Sequence, residues 1–175
     1  DNDNQGFSMV ELIIAIAIMG VLIGTVLYQA GILSRGQIDS CVKAIVSNLE
    51  TSRMEAMSFR EAQFKIVKNS NGIEGLRGVR KGENFVEESI SLANKNFTIY
   101  VTLREGVLSE EKKMQNGDYI VFSYDRSSGA FKPLKGQIGG AVIAGDTYCE
   151  EICIINGEYE RKISFIPLTG KIDTK

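Results

Sequence analysis

The sequence predicts an α+β fold, a long N-terminal helix laid on an antiparallel β-sheet, and three observations predict it. An uncharged, almost wholly apolar run extends over the 23 residues from Leu12 to Ser34. Apolar residues then recur every three or four positions as far as Phe59. Beyond that point, short runs alternate apolar with polar residues.

The apolar run meets the roughly 20 residues that a helix needs to span a bilayer. A chain of 175 residues has room for one domain with a core, and a core helix of such a domain is seldom apolar on every face. Residues 7–34 are therefore read as a transmembrane helix. From Arg35 onward, Ile38, Val42, Ile45, Leu49, Ser52, Ala56 and Phe59 form a stripe. Cys41 falls beside it, and Arg35, Lys43, Glu50, Arg53 and Arg60 lie mostly off it. No Pro interrupts residues 7–61, so one helix continues through both halves, a rod of about 80 Å at 1.5 Å per residue. Its second half, 35–62, is amphipathic and needs a cover.

Residues 63–175 supply that cover as an antiparallel β domain. Gln63–Lys68 opens the β pattern. Phe97, Ile99, Val101 and Leu103 alternate with Thr98, Tyr100, Thr102 and Arg104, the period of a half-buried strand. Asp118–Asp125 reads as a second strong strand, turned by Arg126–Gly129. Ile152–Ile155 and Arg161–Ile166 read as two more, joined through Asn156-Gly157, a pair that favours a hairpin turn. The glycine-rich stretch Gly136–Gly145 is expected to be a surface loop. Gly72–Lys95, charged and weakly patterned, receives no placement. A sheet with one face on a helix and the other toward solvent suits this alternation.

Composition narrows the chemistry. The chain has no His, which removes the commonest general base and the commonest metal ligand. Asp1, Asp3 and Glu11 are the only charges before Arg35. The remaining 19 acidic residues face all 20 Lys and Arg, a net of +1. That balance lacks the basic excess of nucleic-acid binding, and no cofactor, metal site or enzymatic activity is expected. Glycines 136, 139, 140 and 145 lack phosphate-loop order. The pairs Glu87-Glu88, Glu110-Glu111 and Glu150-Glu151 read as solvated surface. Gly20 and Gly24 have the spacing that brings membrane helices close. The three cysteines, Cys41, Cys149 and Cys153, cannot all pair within one molecule. Cys149 and Cys153 can meet only across a turn or helical segment, because four residues along a strand set them about 13 Å apart. Cys41 with either of them is the second option, and free buried thiols are the third.

The most informative residues lie between Gly6 and Gly20. A secretory signal peptide places its cleavage site after its apolar core, whereas here a polar segment, residues 1–6, ends in Gly6 directly before it. A cut at Gly6–Phe7 keeps the apolar helix as the mature N-terminus. Glycine at the cut lets a protease approach an extended backbone. Glu11 is the other anomaly. An ionised carboxylate inside a spanning segment costs roughly 2.5–3.5 kcal/mol on insertion scales. The cut creates a partner for it, a free amine on Phe7 with an ordinary pKa of about 8. Glu11 also sits in the first helical turn, where the helix dipole favours a negative charge.

The segment Gly6-Phe7-Ser8-Met9-Val10-Glu11-Leu12-Ile13-Ile14-Ala15 resembles the processing and methylation motif of the type IV pilin and type II secretion pseudopilin superfamily. The resemblance implies a pilin-like fold and a filament subunit. It implies that a membrane prepilin peptidase removes the leader remnant 1–6 and methylates the amine of Phe7, and that Glu11 aids docking and sets the register of assembly. It implies as partners other pilin subunits, a membrane platform protein and, indirectly, an assembly ATPase. Localisation follows as a single-pass inner-membrane protein with an extracytoplasmic C-terminal domain, later part of a filament. Weaker similarity to minor pilins and H-type, FimT-like pseudopilins rests on Ser47–Ala56 and Ile163–Ile172. Two departures stand out: no Lys or Arg precedes Gly6, and Tyr28 stands where many major pilins have Pro. A membrane-tethered adhesin and a membrane-tethered enzyme are the competing readings, and neither needs an acid at position 11 or a processing site before Phe7.

Overall fold

A computed structural model describes residues 9–58, 61–143 and 145–175, except for the side chains of 24–32 and 81. With no Pro to break it, one helix, α1 (Met9–Met57), runs unbroken for 49 residues, a length of about 74 Å. Its second half buries the expected stripe as far as Ala56, and Phe59, the last member, lies outside the described residues. Ile38, Val42, Ile45, Leu49, Ser52 and Ala56 are all buried, and Cys41 joins them. Arg35, Lys43 and Glu50 stay exposed on the other face.

Eleven strands among the described residues cover that stripe, as two sheets and not the single sheet expected. The first runs β3 (Asn84–Asn94), β2 (Gly72–Lys81), β1 (Ala62–Asn69), β6 (Tyr119–Ser123), β7 (Lys135–Ile138) and β8 (Ala141–Ile143). The second runs β11 (Lys171–Thr174), β10 (Tyr159–Ile166), β9 (Thr147–Asn156), β4 (Thr98–Glu105) and β5 (Leu108–Lys113). All their pairings are antiparallel. Helix α1 touches β1, β2, β3 and β6 of the first sheet and β9 and β10 of the second. Period-two alternation aims Phe64, Ile66, Ile99, Val101, Ile120 and Ile163 into one shared core.

Aromatic rings join the sheets where the helix ends. Phe122 of β6 stacks on Phe165 of β10 with centroids 5.3 Å apart, and Phe131 packs edge-on against both. The buried Tyr124 hydroxyl donates to the Leu49 carbonyl at 2.7 Å. Arg53, off the stripe, donates from Nε to the Gly129 carbonyl at 2.9 Å and from Nη2 to the Thr169 carbonyl at 2.8 Å. One side chain thus ties α1 to the loop after β6 and to the turn between β10 and β11. In that first loop, Asp125 accepts from the hydroxyls and amides of Ser127 and Ser128. Those bonds, the Ser127 hydroxyl foremost, hold its carboxyl well down, to about 2.

Two stretches differ from expectation. The unplaced segment Gly72–Lys95 is the long β2–β3 hairpin at the edge of the first sheet. The stretch read as a loop, Gly136–Gly145, contains most of β7 and all of β8, a hairpin turned at Gly139 and Gly140, both at positive φ. Asp118 pins it, since its Oδ2 accepts the amides of Gln115 at 2.7 Å and Gly139 at 2.9 Å. The expected Asn156-Gly157 turn is present, with Asn156 opposite Tyr159 and Gly157 at φ 64°.

Because the sheets cover the stripe from Ile38 to Ala56, a fragment starting near residue 36 is expected to fold and stay soluble. Size-exclusion chromatography and circular dichroism check it. Aggregated or unfolded fragment under reducing and oxidising conditions alike contradicts the packing of α1 on the sheets.

Candidate functional site

The candidate site is the first third of α1. Met9, Val10, Leu12, Ile13, Ile14, Ile16, Ile18, Met19, Val21, Leu22 and Ile23 are each more than half exposed. These positions cover every face of a helix with 3.6 residues per turn, so nothing among the described residues of a single copy shields them. Exposure on this scale marks a surface that meets lipid or other helices. Among the described residues, no helix is long and apolar enough to cross a membrane. The expected span, residues 7–34, includes residues 7 and 8 and the side chains of 24–32, which lie outside the described residues.

Glu11 lies in the first turn of α1 and is exposed amid these apolar neighbours. Gly6 and Phe7, the expected cleavage and methylation positions, lie outside the described residues. Gly20 has nothing within 4 Å of the place a side chain would take, so this point of the helix is open to a close neighbour.

Lower on the helix, the β9–β10 hairpin grips α1 just past the apolar run. Asn156 Nδ2 donates to the Ser34 carbonyl at 3.3 Å, and Arg161 Nε donates to Asp39 Oδ1 at 2.8 Å. The exposed and the buried parts of α1 therefore meet near residue 34. That is where charge first appears in the sequence after Glu11.

The three cysteines are free and buried. Cys149 and Cys153 both lie on β9, without the intervening turn or helical segment that would let them meet. Pairing of β4 with β9 slips between Thr102 and Leu103, which face Glu151 and Cys149. Glu150 is the extra residue, and such a bulge exchanges the faces of the residues beyond it. Cys149 consequently joins the core with Cys41. Cys153 turns to the outer face, opposite Tyr100 and Lys162, and its thiol donates to Glu160 Oε1 at 3.3 Å. Burial pushes the Cys41 thiol up to about 12. Burial and then the Glu160 carboxylate push Cys153 up to about 12. Neither is a reactive thiolate at neutral pH.

A model of the prokaryotic N-terminal methylation motif matches residues 1–27. The match takes in Gly6, Phe7, Glu11 and most of the exposed part of α1. In this segment, and in a long helix packed on antiparallel sheets, the chain is similar to type IV pilins and pseudopilins. The motif implies processing by a prepilin peptidase and assembly with other pilin-type subunits, and it points to a structural, membrane-anchored role. Comparison with curated proteins and with solved structures finds no match.

Proposed function

We propose that this chain is a structural subunit, a minor pilin or pseudopilin, of a type IV pilus-like filament. It is held in the inner membrane by residues 7–34 until the filament extracts it, and residues 63–175 form its extracytoplasmic part. One observation carries the reading: the methylation motif opens a helix whose first third is apolar and exposed on all faces, while the apolar stripe of its second half is covered by the chain's own sheets. A helix of this kind has a lipid phase and a bundle of like helices as its two favourable surroundings. In the bundle, the Glu11 carboxylate of one subunit pairs with the Phe7 amine of the next and sets their axial stagger. The peptidase supplies that amine by cutting after Gly6, and the platform protein and assembly ATPase drive the transfer. The role calls for no catalytic group, cofactor, metal or nucleic acid.

Intact-mass analysis of the protein from its native host tests this. The mature chain is expected to begin at Phe7 and carry one added methyl group. Replacing Gly6 by a bulky residue is expected to leave only uncut protein in the membrane. A mature N-terminus downstream of residue 25 would be that of an ordinary signal peptide and would overturn the reading.

A further inference from the structure

A cleft of about 340 Å³ opens between the outermost strands of the two sheets, β5 and β8. Its floor is buried Leu103 and Ile138, and Leu108, Val142 and Ile143 form its walls. Beyond α1, four large apolar side chains among the described residues are more than 70% exposed: Val107, Leu108, Val142 and Leu168. Three of the four stand at this one mouth, or in the β4–β5 turn beside it. Such clustering on a folded surface marks a contact site.

We propose that this cleft docks an extended segment of a partner protein in which an apolar residue and a Lys or Arg stand two positions apart. The strand edge argues for the extended form. β5 ends its sheet, so the amides and carbonyls of its outer side are a template for one more strand. Every second residue of β5, Leu108, Glu110 and Lys112, faces the cleft, and a strand added there places alternate side chains inside.

Charge selects the side chains. Two levels of the cleft each present one leucine and one glutamate, since Leu103 lies opposite Glu110 and Glu105 opposite Leu108. At the first level Glu110 is already neutralised by Lys112 at 3.0 Å, which leaves an apolar seat on Leu103. At the second, Glu105 makes no ion pair among the described residues. That level takes a side chain with an apolar stem for Leu108 and a cationic head for Glu105. The two levels are two residues apart on one strand face, which fixes the spacing in the partner.

Panning a random heptapeptide library on phage against the full chain in detergent tests this. Enriched peptides are expected to carry an apolar residue and a Lys or Arg two positions apart. As synthetic peptides they should slow amide exchange along β5 and bind at least tenfold more weakly to the Glu105→Lys and Leu108→Glu variants. Both substitutions are on exposed positions and leave the core untouched, and circular dichroism verifies the fold. No enrichment, enriched peptides without a basic residue, or binding that both variants leave unchanged would each overturn the proposal. Peptides that reproduce strands of this chain would make the occupant a second copy and overturn it equally.

Discussion

Filaments sheared from cells that express the Glu11→Leu chain alongside the other pilins are expected to contain at least tenfold less of it, relative to its membrane pool. The argument starts from the cost of the native residue. An ionised carboxylate in the apolar run destabilises the inserted subunit by roughly 2.5–3.5 kcal/mol on insertion scales. Removing it should leave the membrane form at least as abundant as before. The filament responds oppositely, because the Phe7 amine entering the helix bundle then meets no opposite charge. Removing one member of a buried pair costs about 3–5 kcal/mol, more than the ~1.4 kcal/mol that a tenfold loss requires. A helix that served only as an anchor predicts the reverse, better insertion and no loss. Quantitative immunoblots of sheared and membrane fractions measure both terms. Undiminished incorporation would remove the pairing mechanism for a shaft subunit and leave only a place at the filament tip.

The sequence made this site legible because its signal is local. Gly6, Phe7, Glu11 and the apolar run are contiguous, and their chemistry follows from order alone. The stripe from Ile38 to Ala56 was legible for the same reason: a helix turns its own periodicity into one face. Strands gave up less. Alternation told which side of β1, β4, β6 and β10 faces the core, but not that β6 joins β1 while β9 joins β4, pairings made across dozens of residues. The β2–β3 hairpin escaped because β3 is exposed on both faces over most of its length. An edge strand in that position has no buried face to enforce alternation, and Glu87 and Glu88 break it. In β7–β8 the glycines that read as a loop have specific tasks. A side chain on Gly136 would stand 2.2 Å from the Tyr119 carbonyl of the neighbouring strand, so glycine there permits close strand approach. The β5–β8 cleft was invisible because it forms only when two sheets bring their ends together.

Replacing Phe64 by Ala is expected to lower the stability of the β domain by about 3–5 kcal/mol. At ~2–4 °C per kcal/mol for a chain of this size, its melting temperature should fall by roughly 6–20 °C. Phe64 is fully buried on β1, among the first-sheet strands that pack on α1. The size of the loss depends on whether the surroundings can close over the gap, and here one neighbour is already as small as a residue can be. Gly75 on β2 stands where a side chain would come within 2.8 Å of the Phe64 ring and 3.1 Å of Leu92. The ring therefore fills the volume that Gly75 leaves empty. It follows that Gly75→Ala alone overpacks the core, at a cost of about 1–3 kcal/mol. In the Phe64→Ala background the same methyl group enters the vacated space. The double variant should consequently be more stable than the sum of the single losses predicts, by at least ~0.5 kcal/mol, the scale expected of residues in contact. Thermal unfolding of the full chain in detergent, followed by its near-ultraviolet circular dichroism, gives all four corners of the cycle. Strictly additive losses would show that the ring does not occupy the space above Gly75, and with it the packing of β2 against this part of the core would be wrong.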